Sequence, residues 1–158
     1  VNGTFATQEL GRNFVAFLGA VTALVAALLA RAYGKASGEL GKGPVVALGA
    51  LSFAVIPLLT WQGCQGWGWL LLVLYFLQGS GRAVFESTNR AIFSDFFPGE
   101  KSEGAFANCM LQSSGAFALC FFLQASLSSQ SLAFIILGLA ALTPIGYLTA
   151  EQLRKGGQ

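Results

Sequence analysis

Arg82, Glu86 and Arg90 stand four residues apart in SGRAVFESTNRAIFSDFF, directly after the apolar run WLLLVLYFLQG. On a helix that spacing puts plus, minus and plus on one face, with Glu86 before Arg90 the better-oriented pair and Arg82 reaching the same carboxylate from the other side. Thr88 and Asn89 add a hydroxyl and an amide to the stretch. Two kinds of chemistry fit. In a structural reading Arg82 snorkels and Glu86 neutralises it, fixing the helix against its neighbours. In a functional reading Glu86, Thr88 and Asn89 line a pathway or a partner-binding cavity, as ionisable groups inside membranes often do.

The choice depends on the solvent around that helix. Of the 158 residues 54% are hydrophobic and 10% charged, there is no histidine, and the mean hydropathy is +0.64. A soluble domain carries about 25% charged residues. A hydrocarbon core of about 30 Å needs roughly 20 mostly apolar residues, and five stretches meet that length. They predict an all-α polytopic transmembrane bundle, one membrane domain over 1–158, with spans at about 13–33, 44–62, 67–97, 104–127 and 131–150. Only the third has charges away from its ends. With Trp69 at one interface, about 20 residues bring that helix to Asn89 at the other, so Arg82 lies roughly 10 Å inside the boundary and Arg90 at headgroup level. Turned to lipid, one Arg near a helix centre costs about 2.5 to 3.5 kcal/mol. The stripe is therefore expected to face protein or a watery cavity.

Loop charges set the expected orientation. Arg31, Lys35, Lys42, Lys101, Arg154 and Lys155 fall on one side and only Arg12 on the other, so the C-terminus is expected in the cytoplasm. An odd number of spans then puts the N-terminus outside, with helices expected upstream of Val1. Asn2, in the triplet Asn-Gly-Thr, is a glycosylation acceptor on that outer side. The membrane lipid is one expected partner, and an N-terminal half or other membrane proteins the next. Nothing calls for nucleic acid, cofactor or metal. Cys64, Cys109 and Cys120 have neither a metal spacing nor a disulfide pattern and read as small packing residues.

Gly19, Ala23 and Ala27 repeat every fourth residue, a small face that admits another helix. Pro57 and Pro144 lie inside apolar spans and favour kinks. Ser102 is placed to cap the fourth span, with Glu103 in its first turn. Asn108 and Gln112, one turn apart, are expected to turn from lipid and to bond the third span.

The stretch YGKASGELGKGPVVALG resembles the short loop of the major facilitator superfamily, G-x-x-x-D-R-x-G-R-[RK], with Gly34, Gly41 and Lys42 in place. Gly38 and Glu39 stand where that loop has its acid and its Arg, so its charge relay is not carried over. The closer resemblance is to the Unc-ninety-three-like branch, through Gly34, Lys35, Ser37, Gly41 and Lys42 here, and through EGAFAN with its flanks further on. Glu86 departs from that branch, where a glutamine is expected, as do Cys109 and Met110 in place of a polar or basic pair. The resemblance implies that the five spans are helices eight to twelve of a twelve-helix fold, its C-terminal half.

It also implies a transporter-like protein acting as ion-channel regulator, escort or solute carrier. The alternative is a truncated facilitator fold serving as accessory subunit of a larger membrane complex. An enzyme is not expected, for want of histidine, clustered carboxylates, a phosphate loop or a nucleophile beside a base. GSGRAV, at 79–84, lies inside a membrane span with no strand before it and is no phosphate loop.

Overall fold

The computed structural model of the chain describes residues 6–61 and 66–156, and within them every regular element is helical. After a single turn, α1 (Thr7–Glu9), come α2 (Arg12–Glu39) and α3 (Lys42–Thr60). A 3-10 turn at Gly68–Leu71 leads into α4 (Leu72–Val84), which passes through a π-turn at Phe85–Asn89 into α5 (Arg90–Phe96). Helices α6 (Lys101–Ser126) and α7 (Ser129–Gly156) follow. Five segments are long and apolar enough to cross a membrane: Asn13–Glu39, Lys42–Thr60, Gly68–Phe96, Lys101–Leu123 and Ser129–Gly156. The expected all-helical, five-span architecture is present.

Contacts between the ends show how the spans alternate. Phe14 meets Trp69 edge-on at 5.6 Å and Trp61 meets Phe134 at 5.2 Å, so α2, α4 and α7 start where α3 ends. At the opposite end Lys42, opening α3, bonds Asp95 near the end of α5. One end of the bundle thus holds two aromatic pairs, as suits a membrane interface, and the other holds the Lys42–Asp95 pair.

Packing is uneven. Helix α4 is central, running along α2 and α3, and α7 lies along α3. Lipid tails are as apolar as leucine, so helices associate where small residues allow close approach. Gly79 touches α2, where a Cβ would come 2.8 Å from that of Val25, and Gly49 of α3 receives Val84, where a Cβ would stand at 2.9 Å. Leu18, Thr22 and Ala26 are the buried face of α2. Gly19, Ala23 and Ala27, expected to pack, are exposed, and Gly19 has no neighbouring atom within reach of a Cβ. The seam with α4 runs one residue earlier, where Gly79 is met by the larger Thr22 and Val25, one small partner being enough.

The connection between the first two spans is shorter than the sequence predicts. Gly34, Lys35 and Ser37 continue α2, with a Lys35–Glu39 pair at 3.8 Å and Ser37 Oγ donating to the Gly34 carbonyl at 2.9 Å. Only Leu40 and Gly41 form the turn, and φ +89° at Gly41 is a conformation glycine alone adopts freely. At the fourth span the helix opens one residue before Ser102, which makes no side-chain cap, while Glu103 does lie in the first turn. Helices α3 and α7 both run on through Pro57 and Pro144. Cys109 is half-buried and Cys120 exposed, both free, so the second does not serve as core packing. Asn2 and Cys64 lie outside the described residues.

Candidate functional site

The π-turn reorganises the charged stripe. A π-turn bonds i to i+5 and so carries one residue more than an α-turn, which breaks the four-residue stacking between Glu86 and Arg90. Glu86 accepts instead from Arg82, Nε to Oε1 at 2.7 Å. Among the described residues Arg90 makes no ion pair. The plus-minus-plus face is thus a pair plus a separate guanidinium, correcting the expected Glu86–Arg90 preference.

The same turn sends neighbouring polar residues in different directions. The side chain of Arg82 is 55% exposed and that of Glu86 34%, whereas Thr88 is fully buried and Asn89, half-buried, faces α3 and α7. Ser87 Oγ returns to the Ala83 carbonyl at 2.7 Å, covering part of the loosened ladder. Glu86, Thr88 and Asn89 therefore do not line a single cavity. Gln78, one turn before Arg82 and also exposed, extends the outward stripe to Gln78, Arg82 and Glu86. Its four-residue spacing was legible from the outset.

Nor do Asn108 and Gln112 reach the third span. Both are exposed, Gln112 Nε2 donates to Asn108 Oδ1 at 3.5 Å, and no residue in the most apolar stretch of α6 is buried. Helix α6 meets only α5 closely, through contacts such as Phe106 with Phe93 at 6.4 Å. The polar face of α6 and the stripe of α4 are two separate outward surfaces.

Two polar clusters missed by the sequence reading hold the bundle. The Tyr33 hydroxyl lies 2.8 Å from Ser80 Oγ, itself 3.0 Å from Ser52 Oγ, which donates to the Leu48 carbonyl at 2.9 Å. Three hydroxyls, from α2, α4 and α3, thus satisfy one another in an apolar interior, where an unpaired one is costly. The second cluster is Lys42, whose Nζ donates to the Ala91 carbonyl at 2.9 Å and to the Asp95 carboxylate. Lys42 so joins the glycine turn to the end of the third span. Asp95 had a legible signal, being the one acid between Glu86 and Glu100.

A bundle of five apolar spans around a charged central helix interrupted by a π-turn, with a glycine turn closed by a basic residue, defines a polytopic membrane protein. The chain belongs to the Major Facilitator Superfamily, which it matches over residues 2–153. It is similar to protein unc-93 homolog A of Mus musculus, 32% identical over 152 residues, covering 95% of this chain and 33% of the relative. The human homolog A is 30% identical over 150 residues, 94% of this chain and 33% of the relative. The Bos taurus homolog A is 28% identical over 156 residues, 96% and 34%. The chain spans about a third of the length of the curated relatives it matches. No solved structure matches it. The expected membership in the superfamily and kinship with its Unc-ninety-three-like branch hold.

Proposed function

We propose that this chain contributes the C-terminal part of an Unc-ninety-three-like facilitator fold acting as ion-channel regulator, escort or solute carrier, with its C-terminus in the cytoplasm. The observation that carries the reading is the outward stripe Gln78, Arg82 and Glu86 on the central span. Among the described residues nothing encloses the Arg82–Glu86 pair, and leaving it in lipid costs several kcal/mol. A second half packed against that face would give it a shared, hydrated cavity of the kind alternating access requires. In this reading Arg82 and Glu86 line the cavity, and no covalent chemistry is involved.

The test compares the full-length gene product with its Glu86→Gln variant at equal membrane abundance. Potassium-channel currents in cells co-expressing the channel report regulation, and solute uptake into reconstituted vesicles reports carriage. Glu86→Gln is expected to depress whichever activity the protein has by tenfold or more. Unchanged activity in both assays removes the stripe from function.

The accessory-subunit reading has its own supporting observation, the exposure of Gly19, Ala23 and Ala27 together with the uncovered length of α6. Purification from native membranes separates the two. A stoichiometric, unrelated membrane partner supports the subunit, and an N-terminal half supports the carrier fold.

A further inference from the structure

Gln78, Arg82 and Glu86 set an amide, a cation and an anion in that order along the outward face of the third span. The ion pair within them is only partly engaged. A guanidinium has five N–H donors and a carboxylate two oxygens, yet here Nε alone donates to Oε1 alone, at 2.7 Å. Among the described residues the Nη groups of Arg82 and Oε2 of Glu86 make no other hydrogen bond. The end of a guanidinium fork and half a carboxylate thus stand side by side, with 55% and 34% of their side chains exposed.

Charge decides what such a pair can take up. A lone anion at Arg82 is repelled by Glu86 and leaves the site net negative. A lone cation at Glu86 is repelled by Arg82 and leaves it net positive. Roughly 10 Å inside the membrane boundary either imbalance costs more than in bulk water, because the effective dielectric is lower. A zwitterion brings both charges at once and keeps the site neutral. Since the Arg82 and Glu86 head groups touch, the two charges it brings have to be neighbours as well. A carboxylate and an ammonium on one carbon meet that condition, and an ammonium several carbons away does not. The free fork suits the carboxylate, which it can hold bidentately, and Gln78, one turn before Arg82, adds an amide donor on that side.

We propose that the Arg82–Glu86 pair recognises the head of an α-amino acid, Arg82 Nη groups holding its carboxylate and Glu86 Oε2 its ammonium. The proposal rests on the reading of the stripe as lining a hydrated cavity, and it names the class of solute.

The test follows the melting temperature of the full-length protein in nanodiscs against rising concentrations of three probes. One is a mixture of L-alanine, L-serine, L-leucine and L-phenylalanine, the second the same four as N-acetyl derivatives, which keep only the carboxylate, and the third the same four as methyl esters, which keep only the ammonium. Ligand that binds the folded state stabilises it, and the free amino acids are expected to act at concentrations about tenfold lower than either derivative, because a site built to bond a polar group rejects the analogue lacking it. Glu86→Gln should make the N-acetyl forms as effective as the amino acids, and Arg82→Gln should do so for the esters. Arg82→Lys, which keeps the charge and loses the fork, replaces Arg82→Gln should that variant fail to fold. No stabilisation by the amino acids, equal action of the three probes, or discrimination that survives in both variants overturns the proposal.

The underlying reading is checked apart from it. In the full-length protein Arg82→Cys should react with a membrane-impermeant thiol reagent above the background of the unsubstituted protein. Labelling without discrimination among the probes overturns the solute class and leaves the cavity standing. Absence of labelling removes the cavity, and the proposal with it.

Discussion

The Tyr33 hydroxyl and Ser80 Oγ, 47 residues apart in sequence, stand 2.8 Å from each other where α2 crosses α4. Tyr33→Phe keeps the ring and removes only that contact. Hydrogen bonds between membrane helices average about 0.6 kcal/mol and reach about 1.7, so a loss near the upper end is expected, because Ser52 is left with a weakened partner. Unfolding in mixed micelles measures it. Ser80→Ala should cost as much or more, and the double variant should cost less than the sum.

Gly79 meets backbone as well as side chain and is expected to tolerate no larger residue. Gly79→Val would place atoms within 2.8 Å of Val25 and 2.9 Å of the Thr22 carbonyl, a strain of about 1 to 3 kcal/mol. Gly19→Val, with open space around it, is the control. A lower melting temperature for the first and none for the second is the expected pattern.

The Lys42–Asp95 contact is open to a double-mutant cycle. The side chains are 22% and 49% exposed, so water screens the pair and a coupling of about 0.5 to 1 kcal/mol is expected, near the top of the range for exposed pairs. Lys42→Met also loses the bond to the Ala91 carbonyl and should cost more than Asp95→Asn. Equal costs with no coupling would mean that the ends of α3 and α5 are held together by other contacts.

The π-turn makes a sharper statement about the charged stripe. A cycle of Arg82→Gln with Glu86→Gln should return about 0.3 to 0.5 kcal/mol of coupling, typical of helical pairs in partial contact with water. The cycle of Arg90→Gln with Glu86→Gln should return none. Coupling in the second cycle would mean an unbroken α-helix through Phe85–Asn89.

What the sequence displayed best was the set of spans, because length and apolar composition depend on no neighbour. The family kinship was legible too, through Gly41, Lys42 and the EGAFAN stretch. The π-turn was not, since Phe85–Asn89 has no composition that distinguishes bonding from i to i+5 from bonding from i to i+4, and with it went the direction of Thr88 and Asn89. The contact of α2 with α4 was not legible because Gly19, Ala23 and Ala27 advertise closeness on a neighbouring face, whereas the approach to α4 is supplied by Gly79 on the other helix. Tyr33, Ser52 and Ser80 went unread for a related reason. A hydroxyl in an apolar run is unremarkable alone, and only tertiary folding brings three to one point.

The surplus residue at Phe85–Asn89 is an angular offset built into the third span: set against an unbroken α-helix, every side chain after it is turned by about 100° about the axis. It is with that offset in place that the Asp95 carboxylate meets Lys42 at the charged end of α3.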